Sequence, residues 1–290
     1  MGHSISPAIH GAAYAHHGID ASYELIDCAD AAAVAACFER VRSGELAGVN
    51  VTVPHKRTAI DLADEVDASA RATGAANVIV PEALSSTGGR RLRAYNTDAP
   101  ALQELLSAGC QRSTGDVVVL GNGGAALASV VAARAVTKGR VFVSARRWQA
   151  DAAVWPARAE LEALGSTALE WSKEPEAEFQ RRLQEAAVIV QATSVGMAGT
   201  SNARVAEQAL SSMVPWQRLQ QDAFVYDVVY TPPDTLFLNQ AKAHQVRHQG
   251  GLPMLVGQAA LAFELWMDRP APRAEMAAAA QQALFGGSCQ

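Results

Sequence analysis

The stretch Val117-Val118-Val119-Leu120-Gly121-Asn122-Gly123-Gly124-Ala125-Ala126 reads as strand, turn and helix. Four apolar residues form a short run, glycines follow, and an alanine- and valine-rich segment continues to about Val136. A run that is apolar at every position suits a strand of a parallel sheet covered on both faces. Gly121 permits a tight turn. Gly123 lets backbone N–H groups approach a pyrophosphate at the helix N-terminus. Ala126 stands where GxGxxG has its third glycine, an accepted variant. A glycine-rich turn that binds nothing has the same letters, but the strand before it and the helix after it favour a dinucleotide site.

Working toward the C-terminus, the next apolar run, Arg140 to Ser144, leads into Ala145-Arg146-Arg147. An NAD site carries an acidic residue near this point to hold the ribose 2′-OH. Here two arginines stand and no carboxylate. Guanidinium groups suit a 2′-phosphate through charge-assisted bonds, so NADP is the expected cofactor. Solvated surface arginines are the alternative. Ala187 to Gln191 and Phe224 to Val229 are further strands of the buried kind, and Leu252 to Met267 and Pro272 to Leu284 read as closing helices.

Toward the N-terminus, Ser6-Pro7 reads as an N-cap followed by proline at the first helical position, opening a helix to about His17. Tyr23 to Ile26 reads as a strand, Ala31 to Arg42 as a helix, and Val49 to Val53 as a strand. Pro54 stops that strand and opens a helix carrying Lys56. Asn77 to Val80 and Leu92 to Tyr95 read as short strands, and a helix runs from about Ala99 to Ala108. The alternation predicts an α/β fold with two domains. One is a substrate-binding α/β domain of residues 1–98 plus 239–290, with a parallel sheet; the other is a Rossmann-type NADP-binding domain of residues 99–238.

Composition excludes several classes. A hydrophobic fraction of 49% with 18% charged residues supplies a buried core, which disordered chains lack. The net charge of −5, with lysines and arginines scattered, gives no basic face for nucleic acid. No apolar stretch reaches about 18 residues, so no membrane span is expected. Leu252 to Met267 is interrupted by Gln258 and Glu264. Without a secretory signal at Met1, and with Cys28, Cys37, Cys110 and Cys289 forming no CxxC, a reducing cytoplasm is expected. The histidines form no HExxH or Cys/His cluster, so no metal is expected.

Several segments resemble the shikimate dehydrogenase family, in matching order along the chain. His3-Ser4-Ile5-Ser6-Pro7 is similar to its SxSP element, and Gly48-Val49-Asn50-Val51-Thr52-Val53-Pro54-His55-Lys56 to its GxNVTxPxK motif. Gly74-Ala75-Ala76-Asn77 resembles GAxNT, Asn96-Thr97-Asp98 resembles NTD, and Gly121-Asn122-Gly123-Gly124-Ala125 resembles GAGGA. Thr193-Ser194-Val195-Gly196-Met197 resembles TSxGM, Tyr226-Asp227 through Tyr230 to Pro233 resembles YDxxYxP, and Met254 to Trp266 with Gln258 resembles the closing motif. The lysine and NTD motifs together are highly specific.

The resemblance implies reversible reduction of 3-dehydroshikimate to shikimate by NADPH, with the active site in the cleft between the two domains. Alcohol formation needs a proton as the hydride moves, and a lysine oriented by a carboxylate supplies it. Lys56 and Asp98 match those catalytic positions. Alone, they would read as a solvated charge and a helix cap. The resemblance assigns Ser4, Ser6 and Tyr230 to the substrate carboxylate, and Thr52, Asn77, Asp98 and Gln258 to the ring hydroxyls. Their plain alternatives are an N-cap for Ser6, turn roles for Asn77 and core packing for Tyr230. It assigns Gly121, Asn122, Gly123, Gly124, Ala125, Ser144, Arg146, Arg147, Thr193 and Met197 to the cofactor. The expected partners are small molecules, in a monomer or homodimer. A paralogue acting on quinate or an amino-shikimate analogue, or a weakly catalytic NADP-binding regulatory module, are the competing readings.

Departures from the family pattern are specific. Val78 replaces the threonine of GAxNT, Asn122 an alanine of the glycine loop, and Ala145 and Arg147 flank Arg146 where the family has NRT. The family places a strand ahead of SxSP, and His3 is preceded by only Met1 and Gly2. The expectation is that this strand lies upstream of Met1 or is absent, with weaker hold on Ser4 and Ser6.

Overall fold

The computed structural model describes residues 4–83, 89–146, 158–198 and 203–286. The chain divides into two units, Met1–Ala101 with Leu255–Gln290, and Leu102–Met254.

In the first unit, α1 (Ser6–His17) is followed by α2 (Ala31–Ser43), β1 (Val49–Asn50), α3 (Lys56–Leu62), β2 (Glu65–Val66) and α4 (Ala68–Thr73). A hairpin of β3 (Val78–Ala83) and β4 (Arg90–Tyr95) leads into α5 (Asp98–Gly109), which runs on into the second unit. The sheet order is β1-β3-β4-β2. This sheet is mixed, not parallel as the alternation predicts: β1 and β4 both run antiparallel to β3, and only β2 pairs parallel, with β4. The reason is local, since β3 and β4 meet as a hairpin and need no crossover helix. Val34, Phe38 and Val41 of α2 pack with Ala59, Ala70, Ile79, Leu92 and Ala94 as this unit's core.

Three local expectations differ from the observed structure. Tyr23 to Ile26 forms no strand. Tyr23 instead sends its hydroxyl to Asn50 Oδ1 at 2.9 Å, a side-chain contact in place of a ladder. The strand expected over Val49 to Val53 ends at Asn50, although the Val51 N–H still donates to the Asn77 carbonyl at 2.9 Å. Ser6 is not an N-cap either: the cap is Ile5, and Ser6 is the first helical residue.

In the second unit the elements are β5 (Val117–Leu120), α6 (Gly124–Val136), β6 (Val141–Ser144), α7 (Arg158–Ala163), β7 (Ser166–Leu169), α8 (Glu178–Glu185), β8 (Val188–Gln191), α9 (Ala203–Ser211), β9 (Phe224–Asp227), α10 (Leu236–Ala243) and β10 (Arg247–Gln249). All strands are parallel, in the order β10-β9-β8-β5-β6-β7. This is the doubly wound order, and its switch point lies between β5 and β8, where loops open at the carboxyl ends of the strands. Val118, Leu120, Phe142, Ile189 and Val225 of the sheet pack against Phe179, Leu183 and Phe237 of the helices. The return to the first unit comes at Leu255 and not at 239, because β10 pairs with β9 and α10 packs on both.

The chain closes with α11 (Leu252–Met267) and α12 (Arg273–Phe285). In the first unit α12 packs on α1, and Trp266 donates its indole N–H to the Ile79 carbonyl at 3.1 Å. No described helix is long and apolar enough to cross a membrane.

Candidate active site

In the first unit the hairpin and the start of α5 bring distant polar residues together. Asn96 Oδ1 accepts the Ala99 N–H at 3.1 Å, and Asn96 Nδ2 donates to the Ala75 carbonyl at 2.9 Å. Asn96 thus does the capping at this helix start. The Asp98 carboxylate is therefore not needed as a cap, and Lys56 Nζ lies 2.6 Å from its Oδ2. Both side chains keep some solvent access, 22% for Lys56 and 16% for Asp98. Lys56 opens α3, and its carbonyl accepts the Ala76 N–H at 2.8 Å, so the lysine is tied to the segment carrying Asn77.

Asn77 is buried and fully engaged. Its Oδ1 accepts the Thr97 N–H at 2.8 Å, and its Nδ2 donates to Thr97 Oγ1 at 2.9 Å and to Asp98 Oδ1 at 3.0 Å. Gln258 Oε1 stands 3.5 Å from the same nitrogen, at the limit of a hydrogen bond. Gln258 Nε2 is held by the Leu255 carbonyl at 2.9 Å, within α11. Ser4 and Ser6 meet each other, with the Ser4 hydroxyl donating to Ser6 Oγ at 3.2 Å. Thr52 is exposed at the turn before α3, where its carbonyl accepts the His55 N–H at 2.9 Å. Val78, the departure from the family threonine, is fully buried in β3.

Besides Asn96 and Thr97, which stand in the NTD segment, two more residues of this network were not among the predicted site residues. Asn50 Nδ2 donates to the Asn77 carbonyl at 3.1 Å and its Oδ1 accepts from Tyr23. Its place two residues before Thr52, on the same face of an extended segment, was the available signal. Tyr23 carried no such signal.

In the second unit the glycine loop follows β5. Gly121 has φ +134°, and a Cβ there would meet the Ala192 carbonyl oxygen at 2.8 Å. Gly123 is the N-cap of α6 and offers no side-chain cap, so the first N–H groups of that helix are open to an anion. Gly124 and Ala125 form its first turn, Ala126 is fully buried beneath, and Asn122 lies half-buried in the turn. These features fit a pyrophosphate. Arg146 is exposed just past the carboxyl end of β6, and neither of the described residues directly after the strand, Ala145 and Arg146, is acidic. That donor set fits a 2′-phosphate better than a free ribose. Arg147 lies outside the described residues. Ser144 is fully buried and its hydroxyl donates to the Leu169 carbonyl at 2.9 Å, so its side chain braces the sheet.

The loop after β8 is held by Gln191, whose Oε1 accepts from both the backbone N–H and the hydroxyl of Thr193, at 2.6 and 2.7 Å. Gln191 Nε2 donates to the Val195 carbonyl at 3.0 Å and to Asp227 Oδ1 at 3.1 Å. Asp227 also accepts from the Val229 N–H at 2.9 Å and the Thr235 hydroxyl at 2.7 Å. Burial pushes its carboxyl up to about 6, against those donors. Met197 is left 41% exposed at the end of the loop it closes, an apolar surface beside the switch point. Tyr230 is half-buried after β9. Neither Gln191 nor Asp227 was predicted as a site residue, although Asp227 stands in the YDxxYxP-like segment; each is a polar residue ending an apolar parallel strand, which is where such folds place function.

Residues 1–79 match the shikimate dehydrogenase substrate binding domain, and residues 251–281 the shikimate 5'-dehydrogenase C-terminal domain. Over 269 residues the chain is 36% identical to the shikimate dehydrogenase (NADP(+)) of Geobacillus kaustophilus, covering 91% of this chain and 88% of that protein. The chain belongs to the shikimate dehydrogenase family. A crystal structure of shikimate 5-dehydrogenase from Thermus thermophilus, in complex with NADP(H) and shikimate, shares 34% identity and superposes with a TM-score of 0.76, covering 98% of this chain and 96% of that one. The chain is also similar to the ligand-free 5-ketofructose reductase of a Gluconobacter strain, at 28% identity and a TM-score of 0.77 over 96% of this chain and 93% of that one.

Proposed function

We propose that this protein is an NADP-dependent shikimate dehydrogenase, reducing 3-dehydroshikimate to shikimate and running the reverse reaction. The observation that carries the reading is the 2.6 Å pair of Lys56 and Asp98, tied through Asn77 to the rest of the polar cluster. A module that merely binds nucleotide needs no such pair.

NADPH supplies the hydride when bound. The Lys56 ammonium gives its proton to the ring ketone oxygen as the alcohol forms, and takes it back in the reverse direction. Asp98 holds the ammonium in place and accepts from a ring hydroxyl, with Asn77, Thr52 and Gln258 meeting the other hydroxyls. Ser4, Ser6 and Tyr230 take the carboxylate. The unit of residues 1–101 and 255–290 binds substrate, and the unit of residues 102–254 binds NADP. There the glycine loop 121–125 takes the pyrophosphate, Arg146 with Arg147 the 2′-phosphate, and Thr193 and Met197 the nicotinamide end, with Ser144 supporting from the sheet. Free thiols at Cys28 and Cys37, 3.6 Å apart, suit a reducing cytoplasm. The protein works as a monomer or homodimer.

The likeness to a 5-ketofructose reductase, together with Val78 in place of a threonine, favours one second reading: a related polyol such as quinate or an amino-shikimate. One assay tests both. The purified protein is given shikimate or quinate with NADP+ or NAD+, and reduced cofactor is followed by absorbance. The expected result is fastest turnover of shikimate with NADP+. Preference for quinate moves the assignment to the second reading, and a folded protein inactive on both overturns it.

A further inference from the structure

Tyr23 lies in a segment without regular structure, yet its side chain is built into the first unit. Its ring stacks on His10 with centroids 4.5 Å apart and planes 5° from parallel, and lies 6.5 Å from the Trp266 ring. His10 is fully buried and sits one helical turn beyond Ser6, on the same face of α1. The stack therefore sets Tyr23 along that face, with its hydroxyl at the Ser6 end.

That hydroxyl donates to Asn50 Oδ1 at 2.9 Å, and the Ser6 side chain lies close enough to it to favour its ionised form. The ring and the hydroxyl therefore reach different groups of site residues, the ring through α1 and the hydroxyl through Asn50. Ser6 accepts from Ser4 at 3.2 Å. Asn50 donates to the Asn77 carbonyl at 3.1 Å, and Asn77 donates to Asp98 at 3.0 Å. One side chain thus joins α1, which carries the serine pair at its start, to the asparagine–aspartate–lysine group: its ring stacks on His10 and its hydroxyl holds Asn50.

The geometry points to Tyr23 as a positioning residue that holds the Ser4–Ser6 pair in register with Asn50 and Asn77, so that both groups meet one substrate. Burial raises the phenol's pKa to about 12, so it stays protonated and keeps donating to Asn50. With α1 and Asn50 held to each other in advance, less ordering is left to be lost when substrate binds. Tyr23 touches neither Lys56 nor the cofactor loop in its bonding, so its effect falls on substrate binding and not on the chemical step.

This inference rests on the proposed shikimate chemistry, and the experiment separates the two. Wild-type turnover of shikimate with NADP+ is measured first; its absence overturns the parent reading and this one with it. With turnover present, Tyr23→Phe keeps the ring and its stacking and removes only the hydroxyl. The shikimate KM should rise roughly five- to tenfold, the size of one lost hydrogen bond, with kcat within about twofold and the NADP+ KM unchanged. In a double-mutant cycle, adding Tyr23→Phe to Ser6→Ala should raise KM by much less than it does in the wild type. An unchanged KM, a loss confined to kcat, or additive effects with Ser6→Ala overturns the inference alone. So does a Tyr23→Phe protein unfolded at the assay temperature, since the hydroxyl would then be structural.

Discussion

Asn77 donates to Oδ1 of Asp98 at 3.0 Å, and this divides the carboxylate: Oδ2 is left to Lys56 at 2.6 Å. The aspartate is thereby fixed in orientation by an uncharged amide, and the lysine is held by a charge. Asn77 itself is locked by Thr97 through both its oxygen and its nitrogen. The rigidity of the pair derives from the hairpin, since Asn77 precedes β3 and Thr97 follows β4.

Lys56→Ala should lower kcat by about 10²–10⁴-fold, the usual share of a general acid/base. Substrate KM should change far less, because Asn77 still orients Asp98. Steady-state kinetics in the shikimate-oxidising direction gives both values, and near wild-type turnover in the folded variant refutes the role.

Arg146→Ala should weaken NADP+ much more than NAD+. The lost contact is a charge-assisted bond to the 2′-phosphate, which NAD+ lacks. Fluorescence or calorimetric titration with each nucleotide decides it; equal losses for the two mean that Arg146 does not read the phosphate.

Gly121→Ala should destabilise the protein by about 1–3 kcal/mol. The backbone there has φ +134°, and the added methyl would meet the Ala192 carbonyl at 2.8 Å. Denaturant unfolding measures the loss, and a variant as stable as the wild type rules out the strain argument.

Two buried groups should give opposing pH dependences. His10 is buried with both ring nitrogens unpaired, and desolvation lowers its pKa from 6.5 to about 4. Between those values the unfolded chain binds the extra proton, so stability is lost as pH falls from 6.5 to 4. Asp227 has its pKa raised by burial from 3.8 to about 6, so there the folded chain binds the extra proton and stability is lost as pH rises through that window. The two slopes offset each other in the wild type. Removing one titration at a time exposes the other: His10→Phe should lose stability from pH 4 to 6 as pH rises, and Asp227→Asn should gain it. Unfolding free energies across that range test the signs, and parallel profiles for the two variants would contradict them.

Apolar runs along the chain are enough to specify the doubly wound unit at its centre. Val117–Leu120, Val141–Ser144, Val188–Gln191 and Phe224–Asp227 are buried at every position, and such strands can be read as continuous apolar runs. The edge strands Ser166–Leu169 and Arg247–Gln249 were not legible, because an edge is half solvated and its residues can be polar. Helix starts marked by Pro7 and Pro272 were local and readable to within a residue or two. The site divides the same way. The residue types of Lys56, Asn77 and Asp98 stood out through their motifs. Their union was implied only by the family resemblance and not by spacing, since Lys56 and Asp98 are 42 residues apart and meet because β3 and β4 pair and Asn96 takes over the capping of α5. Tyr23 lies at the far end of that scale. Neither a motif nor a periodicity marks it, and its place beside Ser6 and Asn50 follows from ring stacking on His10. Tertiary structure alone decides such contacts, because a side chain's partners across a core are set by packing and not by neighbours along the chain.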